Sequence, residues 1–454
     1  MPKVRTGCLT CKYANLTRRI KCDEAKPSCW NCSRTGRRCE GYATAETQAQ
    51  AQRLPIRVYS LPFKVPGSQA DRQLLHFYCV EAAGSLSSFS DPTLWTTLIL
   101  QRSYHQPVIR HALVTLAGLY REYLQGGNRI PASASEVAVQ RIARCHRQLR
   151  LYLRSPDASP ETPLICSVLF YAFETLMGDP ASAIQHLNNG LNLLKQSQAS
   201  PRNSTDDILP HLTAIFSRLD VQASTFDDKR IPLLSLVTPD ELAGSVHAVP
   251  DTTFTLAEGE AILTKLQNWM MHHIVAHIAH RHEPIGVFPA HLLEERLVLS
   301  TEYKRFLSTL DTLLPTLPRE SIHRALLLRI QAQMHHAILL ENIPFHTTSP
   351  LGDSFSCCTP TLKSNDGLRC ALLDIQTFLS LDSDSPASQR QFTLCTQLVS
   401  VLYFLCIKAA DHDTRETALA LLQHSRMPAK DGIWETQKVV SILQALKDYN
   451  YACI

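Results

Sequence analysis

Cys8, Cys11, Cys22, Cys29, Cys32 and Cys39 form two successive half-motifs, each a C-x-x-C followed by a lone cysteine. Thiolates are the usual ligands of structural zinc, which prefers four of them in a tetrahedron. Six thiolates complete one such site with two left over, or two sites if two cysteines each bridge both metals. The duplication favours the second arrangement, with the first cysteine of each half, Cys8 and Cys29, as the bridges. One zinc then takes Cys8, Cys11, Cys22 and Cys29, and the other takes Cys8, Cys29, Cys32 and Cys39. Every coordination position is filled by the protein, which makes the pair of Zn2+ ions structural rather than catalytic.

The same stretch is strongly basic. Residues 1–44 hold ten Lys and Arg against Asp23, Glu24 and Glu40, a net of +7, whereas residues 45–454 hold 35 basic and 38 acidic residues, a net of −3. A basic head on a near-neutral body calls for a polyanionic partner at the head alone. Arg18, Arg19 and Lys21 stand just before Cys22. Side chains of this kind neutralise phosphates and donate to guanine O6 and N7, so a segment pinned by metal here can approach the groove of double-stranded DNA. The rival is a cysteine-rich protein-interaction knuckle whose basic face is merely solvated.

What must carry this head is a linker and a helical body. Residues 41–69 are first polar and small, then punctuated by Pro55, Pro62 and Pro66, and read as a linker. They contain no Leu/Ile heptad, so a dimerising coiled coil next to the cluster is not supported. From Ala70 onward apolar residues recur at three-to-four spacing in segment after segment, among them HALVTLAGLYREYL, LICSVLFYAFETLM, QFTLCTQLVSVLYFLCIK and WETQKVVSILQAL. Only 16 glycines and few alternating β-branched runs argue against a large sheet. The expectation is an all-α protein with a small head at 5–42, a linker at 43–69 and a large multi-helix domain at 70–454. Loops are expected near 199–207, 227–253, 283–290 and 343–365.

Composition narrows the function further. The N-terminus lacks the apolar core of a signal peptide. Nine cysteines outside the cluster, Cys79, Cys145, Cys166 and Cys406 among them, read as buried free thiols in a reducing compartment. No apolar run reaches the 18 or so residues of a membrane span, which points to a soluble intracellular protein with no membrane contact. GxSxG, GxxxxGK[ST] and GxGxxG are all absent, so catalysis finds no foothold and the chain does not read as an enzyme. His272, His273, His277, His280 and His282 crowd one amphipathic run but lack HExxH, and read as satisfied or surface histidines rather than a metal site. The pairs His335-His336 and Cys357-Cys358 read as coincidental. Trp95, Phe89, Trp269 and Trp434 are expected to anchor the core. A small effector could be held between helices, although no motif marks a pocket for one.

The segment CLTCK…TRRIKCDEAKPSCWNCSRTGRRCEGY resembles the fungal zinc binuclear cluster (Zn2Cys6) DNA-binding domain, over roughly residues 5–42. The resemblance implies a nuclear transcription factor for RNA polymerase II genes, whose cluster docks in the major groove, often at CGG triplets, singly or as paired half-sites. The family's base-contacting basic pair falls on Arg18 and Arg19, its phosphate contacts on Lys21 and Arg38, and the proline of its joining loop on Pro27. The body resembles the helical fungal-specific transcription factor domain, through phrases such as SFSDPTLWTTLILQRSYHQPVIRHALVTLAGLY and ASAIQHLNNGLNLLK. That family implies regulation, partner contact with a second copy or the transcription machinery, and effector response, without catalysis.

One spacing departs from the family. Ten residues, Lys12 to Lys21, separate the second and third ligands where the family has six. Four extra residues in a continuous helix would carry Cys22 about 6 Å along the axis, too far for a zinc-sulfur bond of roughly 2.3 Å. Removing Tyr13 to Leu16 restores the family spacing, as CLTCKTRRIKC. Either these four residues bulge out while Thr17 to Cys22 keeps its place, or they come from a misplaced exon boundary. If the excess impairs the cluster, the chain is a regulatory or interaction protein that does not bind DNA.

Overall fold

The computed structural model describes residues 8, 10–11, 22–39, 41–42, 66–87, 90–125, 136–156, 158–199, 208–227, 230–278, 280, 289–341, 366–381 and 392–452. The chain divides into two compact units, Met1–Phe63 and Lys64–Ile454. In the first, Thr10 and Cys11 are helical, and a turn and a half of helix, α1 (Trp30–Arg34), follows Cys29.

The second unit is helical, as its periodicity predicts. Helix α2 (Gln69–Phe77) opens with a capping box in which Ser68 and Asp71 satisfy each other's backbone N–H groups. It continues through a π turn at Tyr78–Ala82 into α3 (Ala83–Ser87), and a second π turn at Leu94–Leu98 leads into α4 (Ile99–His105). There follow α5 (Pro107–Gln125), α6 (Glu136–Tyr152), α7 (Glu161–Met177), α8 (Pro180–Ala199), α9 (Leu209–Phe226) and the short α10 (Pro239–Leu242). The remainder comprises α11 (Leu256–Ile278), α12 (Ala290–Leu313), α13 (Ile322–Glu341), α14 (Asp366–Ser380), α15 (Leu398–Lys408), α16 (His412–Leu422) and α17 (Thr436–Ala452). Among the described residues no helix is long and apolar enough to cross a membrane. The expected loop at 227–253 contains α10, and those at 199–207, 283–290 and 343–365 lie wholly or mostly outside the described residues.

Helix α7 is apolar on nearly every side and buried almost throughout Thr162–Leu176, which makes it a central element rather than a surface one. It packs against α5 and α8 and ends at Gly178, whose φ of 80° places it in the left-handed region that favours glycine. The buried Lys430 ammonium donates to the carbonyls of Thr175 and Leu176, each at 3.1 Å, so a cation sits at the negative end of that helix. A second core joins α11, α12 and α13 around Trp269, Phe254, Tyr303 and Phe306. Trp95 and Trp269 are buried as expected of anchors, and so is Trp434, whereas Phe89 lies outside the described residues.

Two helical expectations are corrected. Phe392–Thr393 forms β1 and Trp434–Glu435 forms β3, which flank β2 (Lys430–Asp431) in a small sheet, with β1 parallel and β3 antiparallel to β2. The cause is tertiary. Asp431 is fully buried, and its carboxylate accepts from the N–H of Thr396 at 2.7 Å, the N–H of Val399 at 3.4 Å and the hydroxyl of Thr393 at 3.1 Å. Those bonds tie residues 393–399 to Asp431, through a bend at Leu394–Cys395 and a left-handed Gln397, so that α15 begins only at Leu398. Gly432 turns the hairpin at φ 57°, and a Cβ there would lie 2.5 Å from the carbonyl of Leu394. Of the cysteines read as buried, Cys145, Cys166 and Cys395 are so and Cys79 and Cys406 are half-buried. Cys370 is exposed, because the amphipathic α14 turns it away from the core.

The His335 and His336 pair has a consequence for stability. Burial pushes His335 down to about 4, partly offset by its Nδ1–H donating to the Gln331 carbonyl at 2.7 Å. Its folded value is therefore depressed below the ordinary 6.5. Between those values the unfolded chain binds a proton that the folded chain refuses. Stability is complete above pH 6.5 and falls as pH drops towards 4, by up to about 3 kcal/mol from this residue. Urea unfolding followed by helical circular dichroism at pH 7.5 and pH 5 should record the loss, to which His186, His277 and His336, also lowered to about 4 by burial, add, and His335→Gln should reduce the slope by its share. An unchanged slope in that variant would remove His335 from the account.

Candidate metal centre

The two halves of the head are built alike. In each C-x-x-C the second cysteine's backbone N–H donates to the first cysteine's sulfur, Cys11 to Cys8 Sγ and Cys32 to Cys29 Sγ, both at 3.3 Å. In each half the lone cysteine then accepts from the first one's backbone, Cys22 Sγ from Cys8 N–H at 3.4 Å and Cys39 Sγ from Cys29 N–H at 3.5 Å. The sequence duplication is thus a duplication of turn geometry.

The sulfurs converge. Cys29 Sγ lies 3.6 Å from those of Cys8 and Cys11, and Cys32 Sγ lies 3.8 Å from the same two. A tetrahedron of sulfurs 2.3 Å from zinc has edges of about 3.8 Å, so this spacing fits the ion without rearrangement. Cys8, Cys11, Cys29 and Cys32 together can hold a metal. Cys22 interacts with Cys8, Cys11 and Cys29, and Cys39 with Cys8 and Cys32. The ten-residue interval after Cys11 therefore still brings Cys22 into the cluster.

Supporting contacts that the sequence did not single out hold the site. Asp23 accepts from the N–H of Trp30 at 3.0 Å and of Asn31 at 3.4 Å, which ties the first half to the start of α1. Tyr42 donates to the Ala25 carbonyl at 2.7 Å with its oxygen 4.0 Å from Cys22 Sγ, and Thr10 donates to the Arg38 carbonyl at 3.2 Å. Pro27 follows Lys26 through a cis bond in the joining loop. Burial pushes the Cys8 thiol up to about 12 and raises Cys11 and Cys29 as well. Against the same burial, the N–H groups of Cys8 and Glu24 bring Cys22 down to about 7, and the N–H groups of Cys29 and Gly41 lower Cys39.

Arg38 is exposed on this unit, as are Arg34 and Arg37. Arg18, Arg19 and Lys21 lie outside the described residues, as do Tyr13 to Leu16. The histidine run resolves into ordinary contacts: His272 Nε2 lies 3.0 Å from the Leu234 carbonyl and His273 Nδ1 lies 3.0 Å from Glu295. No described residue of that run belongs to a set of three metal donors, and His282 and the pair Cys357-Cys358 lie outside the described residues. In the helical unit a shallow cleft with a cavity volume of only about 30 Å3 opens to solvent between α9, α11 and α13. Glu260 at its wall faces Arg218 at 3.6 Å and Arg324 at 2.6 Å.

Comparison with known proteins gives these features a family. Residues 73–318 match the fungal specific transcription factor domain. The aspercryptin biosynthesis cluster-specific transcription regulator atnN of Emericella nidulans is 27% identical over 296 residues, which cover 58% of this chain and 46% of that protein. Transcription regulator lscL of Purpureocillium lilacinum is 27% identical over 245 residues, 46% of this chain and 55% of its own. Transcriptional regulatory protein moc3 of Schizosaccharomyces pombe is 55% identical over a short stretch of 49 residues, 11% of this chain and 9% of its own. The chain thus spans about half the length of the first two relatives. No solved structure matches. With its match extending over more than half of the sequence, the chain belongs to the family of the fungal specific transcription factor domain.

Proposed function

We propose that the chain is a sequence-specific, zinc-dependent DNA-binding transcription factor that acts on RNA polymerase II genes in the nucleus. Its head, 5–42, takes two Zn2+ bridged by Cys8 and Cys29 and docks in the major groove of double-stranded DNA at CGG-like triplets. Arg18 and Arg19 read bases, and Lys21 and Arg38 contact phosphates. Residues 43–69 link it to the helical domain, 70–454, which serves regulation through a second copy, the transcription machinery or a small effector, without catalysis.

The observation that carries this reading is the pairing pattern of the sulfurs. Cys8 and Cys29 each interact with all the other cysteines of the cluster, as bridges of the proposed quartets Cys8-Cys11-Cys22-Cys29 and Cys8-Cys29-Cys32-Cys39 must, although Cys11 and Cys32, assigned to different metals, also lie 3.8 Å apart. Cys8 and Cys29 are the pair common to both. The metals supply structure: they fix the turns from which the basic side chains reach DNA. The second reading, an impaired head that binds no DNA, draws on the ten-residue interval. Cys22 beside Cys8 speaks against it.

Arg19→Ala is expected to weaken binding to the preferred duplex by about 1–3 kcal/mol and to relax base preference, while Lys21→Ala weakens binding to all duplexes alike and lowers the salt slope by about one. Fluorescence anisotropy across a salt series, on matched and scrambled duplexes, separates the two. An equal loss on every sequence for Arg19→Ala would remove it as a base reader.

A further inference from the structure

Three helices of the second unit bring together a set of donors that the proposed function does not use. His146 on α6, Glu174 on α7 and His186 on α8 place one ring nitrogen or carboxylate oxygen each within 4.8 Å of one another. His186 Nε2 is 3.9 Å from Glu174 Oε1, beyond hydrogen-bond reach, and the two imidazole rings are 5.2 Å apart. The Nε2 atom of His146 is buried without a hydrogen-bond partner. An unpaired buried nitrogen is costly, and a native structure normally gives it a purpose. Phe170 walls one side, with its ring edge-on to His146 at 4.5 Å and to His186 at 5.4 Å.

We propose that His146, Glu174 and His186 form a third metal site, for a zinc-class divalent transition metal, that clasps α6 to α7 and α8. Two imidazoles and a carboxylate are a recurrent donor set for such ions, and ligand bonds of about 2.0–2.2 Å require donors about 3.3 Å apart, so donors that lie within 4.8 Å of one another close by at most about 1.5 Å, a side-chain adjustment. The packing of α6 gives the clasp a use. That helix buries only Ala138 and Cys145 and exposes Val137, Val139 and Leu151, so apolar contact alone holds it weakly. A metal shared with two better-buried helices pins it, and metal availability then sets how firmly it is docked.

The untagged full-length chain, saturated with zinc and dialysed, is expected to hold about three zinc ions, and His186→Gln and Glu174→Gln about two, by plasma mass spectrometry. Two ions in the parent chain, unchanged in both variants, would overturn the site while leaving the head intact. Fewer than two in the parent would count against the head instead. A second measurement guards against variants that fold poorly. Co2+ added to a chain whose six head cysteines are all replaced by alanine should give visible d–d bands without thiolate charge transfer, because the ligands of the proposed site are nitrogen and oxygen. Absence of those bands would also overturn the proposal.

Discussion

Cys29→Ala is expected to cost the chain both head zinc ions, unfold the head and abolish DNA binding, while the helical body remains folded. Cys29 is fully buried among the other sulfurs, caps α1 by accepting from Cys32 N–H, and is shared by both proposed quartets. Structural zinc sites contribute about 10–16 kcal/mol to folding small metal-bound modules, far more than so short a segment can replace by packing. Cys39→Ala removes a ligand from one quartet alone and is expected to cost about one ion. Zinc content of the two variants against the parent chain checks the order. Equal losses from both, or full zinc in Cys29→Ala, would show that Cys29 is not a bridge.

Arg230→Ala is expected to destabilise the helical body by about 3–5 kcal/mol, the cost of leaving one member of a buried ion pair alone. Its guanidinium lies 2.6 Å from the Asp220 carboxylate and also donates to Asn188 at 2.9 Å and Ser224 at 2.8 Å. The Asp220 side chain is wholly buried and its second oxygen accepts from Leu234 N–H at 2.8 Å. Surface pairs such as Lys447 with Glu416 are solvated, and breaking them should cost little. The double replacement Arg230→Met with Asp220→Leu should recover most of the loss, since the charge no longer needs a partner. Chemical denaturation of the three chains tests this, and a double variant no better than Arg230→Ala would contradict it.

The convergence of the head cysteines was legible because metal chemistry constrains residue type and spacing together, and the duplication of C-x-x-C and lone cysteine reappears as a duplicated turn geometry. Asp23, Tyr42 and Thr10 were not, since each acts on a backbone group remote in sequence. The helices of the body followed from periodicity, whereas β1 and β3 did not, because the buried Asp431 decides them from a distance. Histidines teach the same lesson. The conspicuous run at 272–282 dissolves into contacts with Leu234 and Glu295, whereas His146 and His186 meet Glu174 only once three helices have packed. The ten-residue interval after Cys11 is too long for a continuous helix that closes the cluster, and Cys22 nonetheless reaches Cys8.

Binding selection from random duplex DNA with the zinc-loaded full-length chain tests the central claim most directly. The account predicts enrichment of duplexes containing CGG-like triplets, lost on zinc chelation and in Cys29→Ala. A chain that holds its head zinc and enriches no sequence would contradict it.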